Sequence, residues 1–164
     1  MEKLKKSLLI VLFAFLGFNM QAEVPQCKLT DLNNRTVVTS DISESGKVTV
    51  ISFFALWCKP CLRELSAIHQ VYPDWEDEVD FDFIAVSIDA AQDRNKVQSL
   101  ANGSGWEFSV WLDPAGEFKR AMNVSMIPAI FIVDKEGKIA YSHTGYVDGS
   151  EAKLFEKVKE LASK

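Results

Sequence analysis

Hydrophobic residues are concentrated in a stretch from Val48 to Ala55, and most of them are β-branched or aromatic. This composition predicts a central parallel strand covered on both faces, rather than an edge strand with one side in water. After Trp57 the spacing changes to that of one helical stripe. The members of that stripe are Cys61, Leu65, Ile68 and Tyr72. The pattern therefore predicts a buried strand that leads directly into an amphipathic helix.

The residues on either side of this unit predict further local structure. Alternating runs within Cys27–Thr39 predict a β-hairpin that turns at Asn33-Asn34, and Asp41–Lys47 is expected to be a short polar connection. Beyond the strand, Pro73 predicts a kink in the helix, or a break followed by a short second helix that ends at Glu78.

Strands and helices alternate through the second half of the chain. The predicted strands are Phe81–Ile88, Trp106–Trp111, an apolar run that begins at Pro128, and an edge strand over Lys138–His143. Three helices are predicted in this half. The first follows Asp89, with Val97 and Leu100 facing inward, and stops at Asn102-Gly103. The second covers Glu117–Met122, and the third begins at Asp148-Gly149-Ser150-Glu151. That last tetrapeptide has the pattern of a capping box, before a helix expected to bury Leu154, Phe155, Val158 and Leu161. The alternation predicts an α/β fold with a mixed, mostly parallel sheet flanked on both faces.

Residues 1 to 22 have the pattern of a secretory signal peptide, and residues 23 to 164 are expected to form one domain. Three lysines precede the apolar run Leu8–Phe18, which is shorter than the roughly 20 residues of a membrane span. We expect cleavage after Ala22 and a periplasmic or otherwise extracytoplasmic location. An uncleaved membrane anchor and a lipoprotein acylated on Cys27 stay open as alternatives.

The charge balance narrows the choice of partners. The chain has 18 basic and 23 acidic residues, a net charge of −5. Without residues 1 to 22, the remaining 142 residues carry 15 basic and 22 acidic side chains, a net charge of −7. This acidity argues against nucleic acids and anionic membrane surfaces as partners. The length fits one domain with one core.

The motif Cys58-Lys59-Pro60-Cys61 has the features of a reactive dithiol. Pro60 favours the first turn of a helix, so Cys58 is expected to be exposed at the helix N-terminus and Cys61 to lie one turn further in. Unpaired helix N–H groups, the helix dipole and the charge of Lys59 favour a thiolate, and such settings lower a cysteine pKa from about 8.5 to roughly 3.5–7.5. Cys58 is then expected to attack a disulfide, and Cys61 to resolve the resulting mixed disulfide.

Two other uses of the cysteines fit the sequence less well. A closed zinc site needs four ligands, but the only further candidates are Cys27, His69 and His143, and both histidines are expected at the surface. A structural disulfide between cysteines three residues apart closes almost no loop and therefore adds little stability. We expect no metal, and no cofactor beyond a redox-active Cys58–Cys61 disulfide. Cys27 is either a partly buried structural thiol or a site of intermolecular disulfide formation or modification.

The sequence FFALWCKPCLREL, which contains this motif, resembles the active site of thioredoxin-fold proteins of the TlpA/ResA-like extracytoplasmic family. The resemblance implies a central mixed β-sheet flanked by helices, with an N-terminal β-hairpin and an inserted strand-helix unit. It also implies a thiol:disulfide oxidoreductase that reduces protein disulfides and is kept reduced by a membrane thiol-disulfide electron donor. Cytochrome c biogenesis is one role of this family. We expect the protein to be a monomer.

The same resemblance assigns residues that contact the substrate. Ile127-Pro128 matches the position of a cis-proline that faces the Cys-X-X-Cys motif, although an X-Pro bond is usually trans. The backbone of Ile127 is expected to pair with the substrate chain as a short added strand. Trp57 is expected to pack over the turn, shielding Cys61 and shaping the contact surface. Lys59 and Pro60 complete that surface.

Glu64 lies three residues after Cys61 and therefore on the same helical face. The resemblance implies an acid–base and substrate-interaction role for it, while the alternative is an ordinary exposed glutamate paired with a nearby Lys or Arg. Thioredoxin itself has a buried Asp on the central strand, where this chain has Ser52. Because Ser52 cannot relay a proton in the same way, that task is left to Glu64 or to water.

Two other functions remain open. A peroxiredoxin-like thiol peroxidase shares the inserted unit, but its cysteine usually sits in a T-x-x-C setting that Ala55 does not provide. A copper-binding thioredoxin-fold chaperone would use Cys58, Cys61 and a histidine, since thiolates select Cu(I). SCO-like copper proteins, however, have a wider cysteine spacing.

Overall fold

The computed structural model describes residues 22 to 164, so the predicted signal peptide lies outside the described residues apart from Ala22. The strands are β1 (Lys28–Asp31), β2 (Thr36–Val38), β3 (Val48–Phe54), β4 (Phe81–Ser87), β5 (Ser109–Leu112), β6 (Ala129–Val133) and β7 (Ile139–Thr144). The helices are α1 (Ser40–Glu44), α2 (Lys59–Glu78), α3 (Arg94–Ser104), α4 (Glu117–Ala121) and α5 (Ser150–Ala162), and a 3₁₀ turn at Ala91–Asp93 precedes α3.

The seven strands of residues 22 to 164 belong to one mixed sheet with the order β2-β1-β5-β4-β3-β6-β7. The central strand β3 is parallel to β4 and antiparallel to β6, and every one of its residues is buried. At one side of the sheet, the β1–β2 hairpin pairs with β5. This arrangement confirms a thioredoxin fold with an N-terminal hairpin and an inserted unit between β4 and β6.

The alternation of side chains along β3 divides the core into two layers. Val48, Val50 and Phe54 face the layer that contains the buried residues of α2, α3 and α5. Ile51 and Phe53 face the opposite layer, which contains the buried residues of α1 and α4. Helices therefore cover the sheet on both faces, as a strand that is apolar at almost every position requires.

The expected polar connection before β3 is wrong, and so is a break at Pro73, one of the two alternatives expected there. The stretch expected to be a polar connection contains α1, because Ile42 is buried against the sheet. Helix α2 does not break at Pro73 but continues to Glu78. On the inner face of that last turn, the ring of Trp75 stacks on Phe155 of α5, with centroids 4.6 Å apart. This packing compensates for the helix hydrogen bond that a proline cannot donate.

Two predicted helix ends also differ from the structure. Helix α3 runs to Ser104 and stops at Gly105, whose positive φ of 68° suits glycine, and it buries Ala101 more fully than Leu100. No capping box precedes α5, since Gly149 occupies the N-cap and no side chain caps the helix. The carboxylate of Glu151 instead accepts a 3.2 Å hydrogen bond from the Tyr146 hydroxyl.

The first described residues are fixed to the turn between β6 and β7. Ile139 N–H donates to the carbonyl of Ala22 at 2.8 Å, and Val24 N–H donates to the carbonyl of Gly137. In the sheet register, Ile139 lies opposite Val133, which pairs with Thr49 near the start of β3. The chain therefore enters the fold at the end of the sheet where β3 begins. Within residues 22 to 164, no helix combines the length and apolar character needed to cross a bilayer.

Candidate active site

Cys58 and Cys61 form a disulfide at the start of α2, with their Cα atoms 5.3 Å apart. Cys58 is the N-cap residue, and Pro60 lies in the first turn, as the sequence predicts. The loop that leads from β3 is closed by a 3.0 Å hydrogen bond from Cys58 N–H to the carbonyl of Ala55. Cys61 N–H points at Cys58 Sγ, at 3.3 Å. A backbone donor is therefore directed at the sulfur on which a thiolate would form.

The exposure of this site differs from the expectation. Cys61 is fully buried as expected, but Cys58 is only 5% exposed, because its sulfur is bonded inward to Cys61 in this oxidised state. Trp57 does not cover the turn, since 70% of its surface is exposed. The prediction that Cys58 is exposed and that Trp57 shields Cys61 is therefore wrong for the disulfide form. The exposed indole marks the surface beside the disulfide.

The other predicted contact residues lie at the same end of the sheet. Lys59 and Pro60 are exposed in the first turn of α2. The peptide bond between Ile127 and Pro128 is cis, as the resemblance implies. Pro128 directly precedes Ala129, which pairs with Phe53 near the end of β3. The sheet register therefore brings Ile127-Pro128 to the edge from which the Cys58 loop begins.

Glu64 is buried, with 3% of its surface exposed, so the alternative of an ordinary exposed glutamate is wrong. Its carboxylate accepts a 3.1 Å hydrogen bond from the Ser52 hydroxyl. Burial raises the pKa of Glu64 to about 7, and the charge of Glu151 adds to the increase, while the hydrogen bond from Ser52 opposes it. A carboxyl group with this pKa can both accept and release a proton near neutral pH.

A cavity of about 270 Å³ adjoins Glu64 between α2, β7 and α5. Its polar lining consists of Glu64, Tyr141, His143, Ser150, Glu151 and Lys153. His143 is exposed, as expected, and contributes to the cavity wall. The cavity gives the buried carboxyl group a polar neighbourhood on the side of α2 that faces α5.

Sequence reasoning missed Asp89, which follows β4. Its two carboxylate oxygens lie 3.1 and 3.0 Å from Leu56 N, in the loop before Cys58, and Ser87 Oγ donates to it at 2.8 Å. Leaving a fully buried N–H unpaired costs about 1–3 kcal/mol, and for the half-buried Leu56 the contact with Asp89 offsets part of such a cost. The available signal was a Ser-X-Asp sequence at the end of a buried strand, where polar residues require partners.

The remaining candidate ligands do not assemble around the disulfide. Cys27 is a half-buried free thiol, and burial raises its pKa, as do the nearby carboxylates of Asp113 and Glu117. His69 is half-buried on α2. In the part of the chain that the structure describes, no three His, Cys, Asp or Glu side chains are placed to hold a metal ion. Among these described residues, Cys58, Cys61 and a histidine, the set that a copper site would use, are therefore not brought together.

Comparisons with known proteins agree with this geometry. A sequence model of the AhpC/TSA family matches residues 20–142. Thiol-disulfide oxidoreductase ResA of Bacillus thuringiensis (strain Al Hakam) is 27% identical over 117 residues, and the match spans 71% of this chain and 65% of that protein, just under two thirds of its length.

Two solved structures are similar over most of the chain. A thioredoxin-like protein from Porphyromonas gingivalis is 55% identical, with a TM-score of 0.75 over 88% of this chain and 95% of that one. A structure from Chlorobium tepidum, named for the thiol:disulfide interchange protein DsbE, is 25% identical, with a TM-score of 0.76 over 87% of this chain and 96% of that one.

Proposed function

Because this chain belongs to the AhpC/TSA family and has a thioredoxin fold, we propose that it is an extracytoplasmic thiol:disulfide oxidoreductase that reduces protein disulfides. The observation that carries the proposal is the Cys58–Cys61 pair at the N-terminus of α2, with the buried carboxyl group of Glu64 on the same helix. The names of the related ResA and DsbE proteins support the same chemistry.

The reaction begins with the dithiol form. The Cys58 thiolate, favoured by the helix N-terminus and by Lys59, attacks one sulfur of a substrate disulfide. A mixed disulfide forms between Cys58 and the substrate, and the second substrate sulfur leaves as a thiolate that takes a proton from solvent. The backbone of Ile127 holds the substrate segment beside Cys58, as an added strand would be held.

The second step resolves the mixed disulfide. The buried thiol of Cys61 transfers its proton to the carboxylate of Glu64, and the Cys61 sulfur then attacks Cys58 Sγ. The Cys58–substrate bond breaks, the Cys58–Cys61 disulfide forms, and the remaining substrate sulfur leaves as a thiolate and is protonated. Two electrons have then passed to the substrate. A pKa of about 7 allows Glu64 to accept this proton and later return it.

The cycle needs a dithiol donor that reduces the Cys58–Cys61 disulfide again. We assign this role to a membrane thiol-disulfide partner, because the signal peptide predicted for residues 1 to 22 would direct the domain out of the cytoplasm, away from its thiol pool. The protein acts as a monomer on protein substrates, and maturation of c-type cytochromes is one such use.

A Cys61→Ser variant tests the proposal. Without the resolving sulfur, Cys58 should remain bound to its substrates as mixed disulfides that dissociate when dithiothreitol is added. The matched control is Cys58→Ser, which should capture little because the attacking sulfur is missing. Capture by Cys58→Ser but not by Cys61→Ser would reverse the proposed order of attack, and capture by neither variant would refute the proposal.

A thiol peroxidase is the second candidate, because the chain matches the AhpC/TSA family and has the inserted unit between β4 and β6. A peroxide-consumption assay distinguishes the two functions. Rapid turnover that depends on Cys58 would favour the peroxidase, whereas reduction of protein disulfides without such turnover would favour the proposed function.

A further inference from the structure

Asp89 links the strand next to β3 with the loop that carries Cys58. It lies two residues beyond the end of β4 and is 8% exposed. Both of its carboxylate oxygens are within hydrogen-bonding distance of Leu56 N, at 3.1 and 3.0 Å. Leu56 is half-buried in the short segment between β3 and α2. The carboxylate therefore fixes the backbone just before the redox-active turn.

The carboxylate is itself held in place by its neighbours. Ser87 Oγ donates to Asp89 Oδ2 at 2.8 Å, and Asp89 N–H donates to Ser87 Oγ at 3.2 Å. Ser87 is the last residue of β4 and is 1% exposed. In addition, Ile88 N–H donates to the Phe54 carbonyl at 2.9 Å, which joins the two strand ends. Asp89 has little freedom to move relative to Leu56.

We infer that Asp89 is a positioning residue of the redox site: it holds the loop through Leu56 N–H and keeps a buried negative charge beside the loop that leads to Cys58. This inference rests on the proposed function, since it concerns the chemistry of the same cysteine pair. Leu56 and Cys58 are two residues apart, so their Cα atoms are separated by at most about 7.6 Å. The charge bound at Leu56 N–H is thus held close along the chain to Cys58, and because Asp89 is only 8% exposed, screening of this charge by salt is weak.

The other charged groups near Asp89 come from the segment after it. Arg94 and Asp89 both line a small cavity, but the guanidinium of Arg94 donates to the carbonyl of Leu32 at 2.6 Å and to Asn34 Oδ1 at 2.8 Å. Lys96 is exposed and pairs with Asp93 at 2.7 Å, and the charge of Asp89 helps to raise the pKa of Lys96. On the side of the disulfide, the nearest cation in sequence is Lys59 on α2, which is exposed.

The sign of the effect follows from electrostatics. A negative charge near a thiol disfavours the thiolate, and a less stable thiolate makes the dithiol form a stronger reductant. Asp89 and the helix N-terminus therefore act in opposite directions on Cys58. The carboxylate of Asp89 therefore keeps the reduction potential of the Cys58–Cys61 pair towards the more negative end of the range found in thioredoxin-fold proteins.

Asp89→Asn removes the charge while its amide oxygen can still accept from Leu56 N–H. In this variant the equilibrium with glutathione should shift about three- to tenfold towards the dithiol, which corresponds to a reduction potential about 15–30 mV less negative. The thiol of Cys58 should become more acidic by a similar factor. We would measure its alkylation rate against pH by peptide mass spectrometry, which separates Cys58 from Cys27.

Asp113→Asn is the matched control. Asp113 is also a buried aspartate directly after a strand, and it accepts a 2.8 Å hydrogen bond from a backbone N–H, that of Lys119 in α4. The variant changes the net charge equally but should leave the potential and the acidity of Cys58 unchanged. An unchanged potential in Asp89→Asn, or an equal shift in Asp113→Asn, would overturn the inference.

Ser87→Ala tests the inference in the opposite direction and does not depend on folding of the Asn variant. Losing the Ser87 hydroxyl leaves the charge of Asp89 less well compensated, so the potential should become more negative. A shift towards a less negative potential, or none, would contradict the role of Asp89.

The same measurements separate failure of the inference from failure of the proposed function. If wild-type protein shows no reversible Cys58–Cys61 redox couple, the proposed function itself fails. If the couple is present and only the shifts in the variants are missing, the inference alone fails.

Discussion

The hydroxyl of Ser52 on β3 donates a 3.1 Å hydrogen bond to the carboxylate of Glu64 on α2, and both residues are buried. The strand position that thioredoxin fills with an acid thus carries a hydroxyl here, and the acid stands on the facing helix. The pair joins the central strand to the helix that bears the disulfide. Proton transfer in this site is accordingly expected to depend on both residues.

Replacing Ser52 by Ala should raise the pKa of Glu64 above its value of about 7, because the hydrogen bond from Ser52 favours the charged carboxylate. Because Cys61 gives its proton to the Glu64 carboxylate in the resolving step, the pH at which the rate of that step rises should then be higher. The pH dependence of mixed-disulfide resolution measures this shift.

Thr49→Val is the control for Ser52→Ala. Thr49 is also buried on β3, and its hydroxyl has no hydrogen-bond partner among residues 22–164. Its replacement should leave the pH profile in place. Equal displacement of the profile by both substitutions would show that the hydrogen bond to Glu64 is not the cause.

Burial of Glu64 should also make stability depend on pH. Its pKa rises from an ordinary value of 4.5 to about 7 in the folded state, so the folded protein binds a proton more tightly than the unfolded chain. The resulting stabilisation is fully present below pH 4.5 and is lost as the pH rises through about 7. The loss amounts to about 3 kcal/mol.

Glu64→Gln, which cannot ionise, should abolish this contribution. Urea unfolding of the oxidised protein at pH 4.5 and pH 8 measures it as the difference between wild type and variant. The variant should match wild type in acid and exceed its stability at pH 8. A wild-type protein that is equally stable or more stable than the variant at pH 8 would contradict the raised pKa.

Trp57→Ala should weaken substrate capture without weakening the fold. Because 70% of the Trp57 surface is exposed, the free energy of unfolding should change by no more than about 0.5 kcal/mol. Capture by the Cys61→Ser trap should fall about tenfold, the effect of losing an aromatic contact worth about 1.4 kcal/mol at an interface.

Val147→Ala is the control for Trp57→Ala, because it removes an equally exposed apolar side chain from the loop before α5. Equal losses in both variants would rule out a specific role for Trp57.

Export can be tested through the processed terminus. When the full chain is produced in a bacterial host, the extracytoplasmic fraction should contain protein that begins at Glu23. A charge in the apolar run, as in Leu12→Arg, should retain the unprocessed chain in the cytoplasm. Wild-type protein that stays in the cytoplasm with residues 1 to 22 attached would contradict the proposed location.

Patterns that depend on periodicity and on the Cys-X-X-Cys motif predicted most of the fold correctly. The buried strand β3, the helix that follows it and the N-terminal hairpin lie where the sequence predicts them, because each is specified by local spacing or turn residues. Predictions at helix ends were less accurate. A break at Pro73, one of two alternatives expected there, and the expected capping box before α5 are both absent, and tertiary contacts of Trp75 and Tyr146 replace them.

The candidate site shows the same division. Spacing placed Glu64 on the same helical face as Cys61, and the resemblance named it as a candidate, but neither could show that Glu64 is buried, because that depends on α5 and β7 packing over one face of α2. The contact of Asp89 with Leu56 spans 33 residues of sequence, and no local pattern reports such a contact. The oxidised state also explains why Cys58 is more buried than a free N-cap thiol would be.

The anchoring of Ala22 beside Ile139 has a practical consequence. An affinity tag, a carrier protein or an immobilising surface can be joined to the chain before Ala22. It would then lie at the end of the sheet opposite the Cys58–Cys61 disulfide. Substrate proteins would reach the disulfide from the other end of the sheet, without steric interference from the attached group. N-terminal attachment is therefore the suitable choice for capture experiments, and a C-terminal tag is not required.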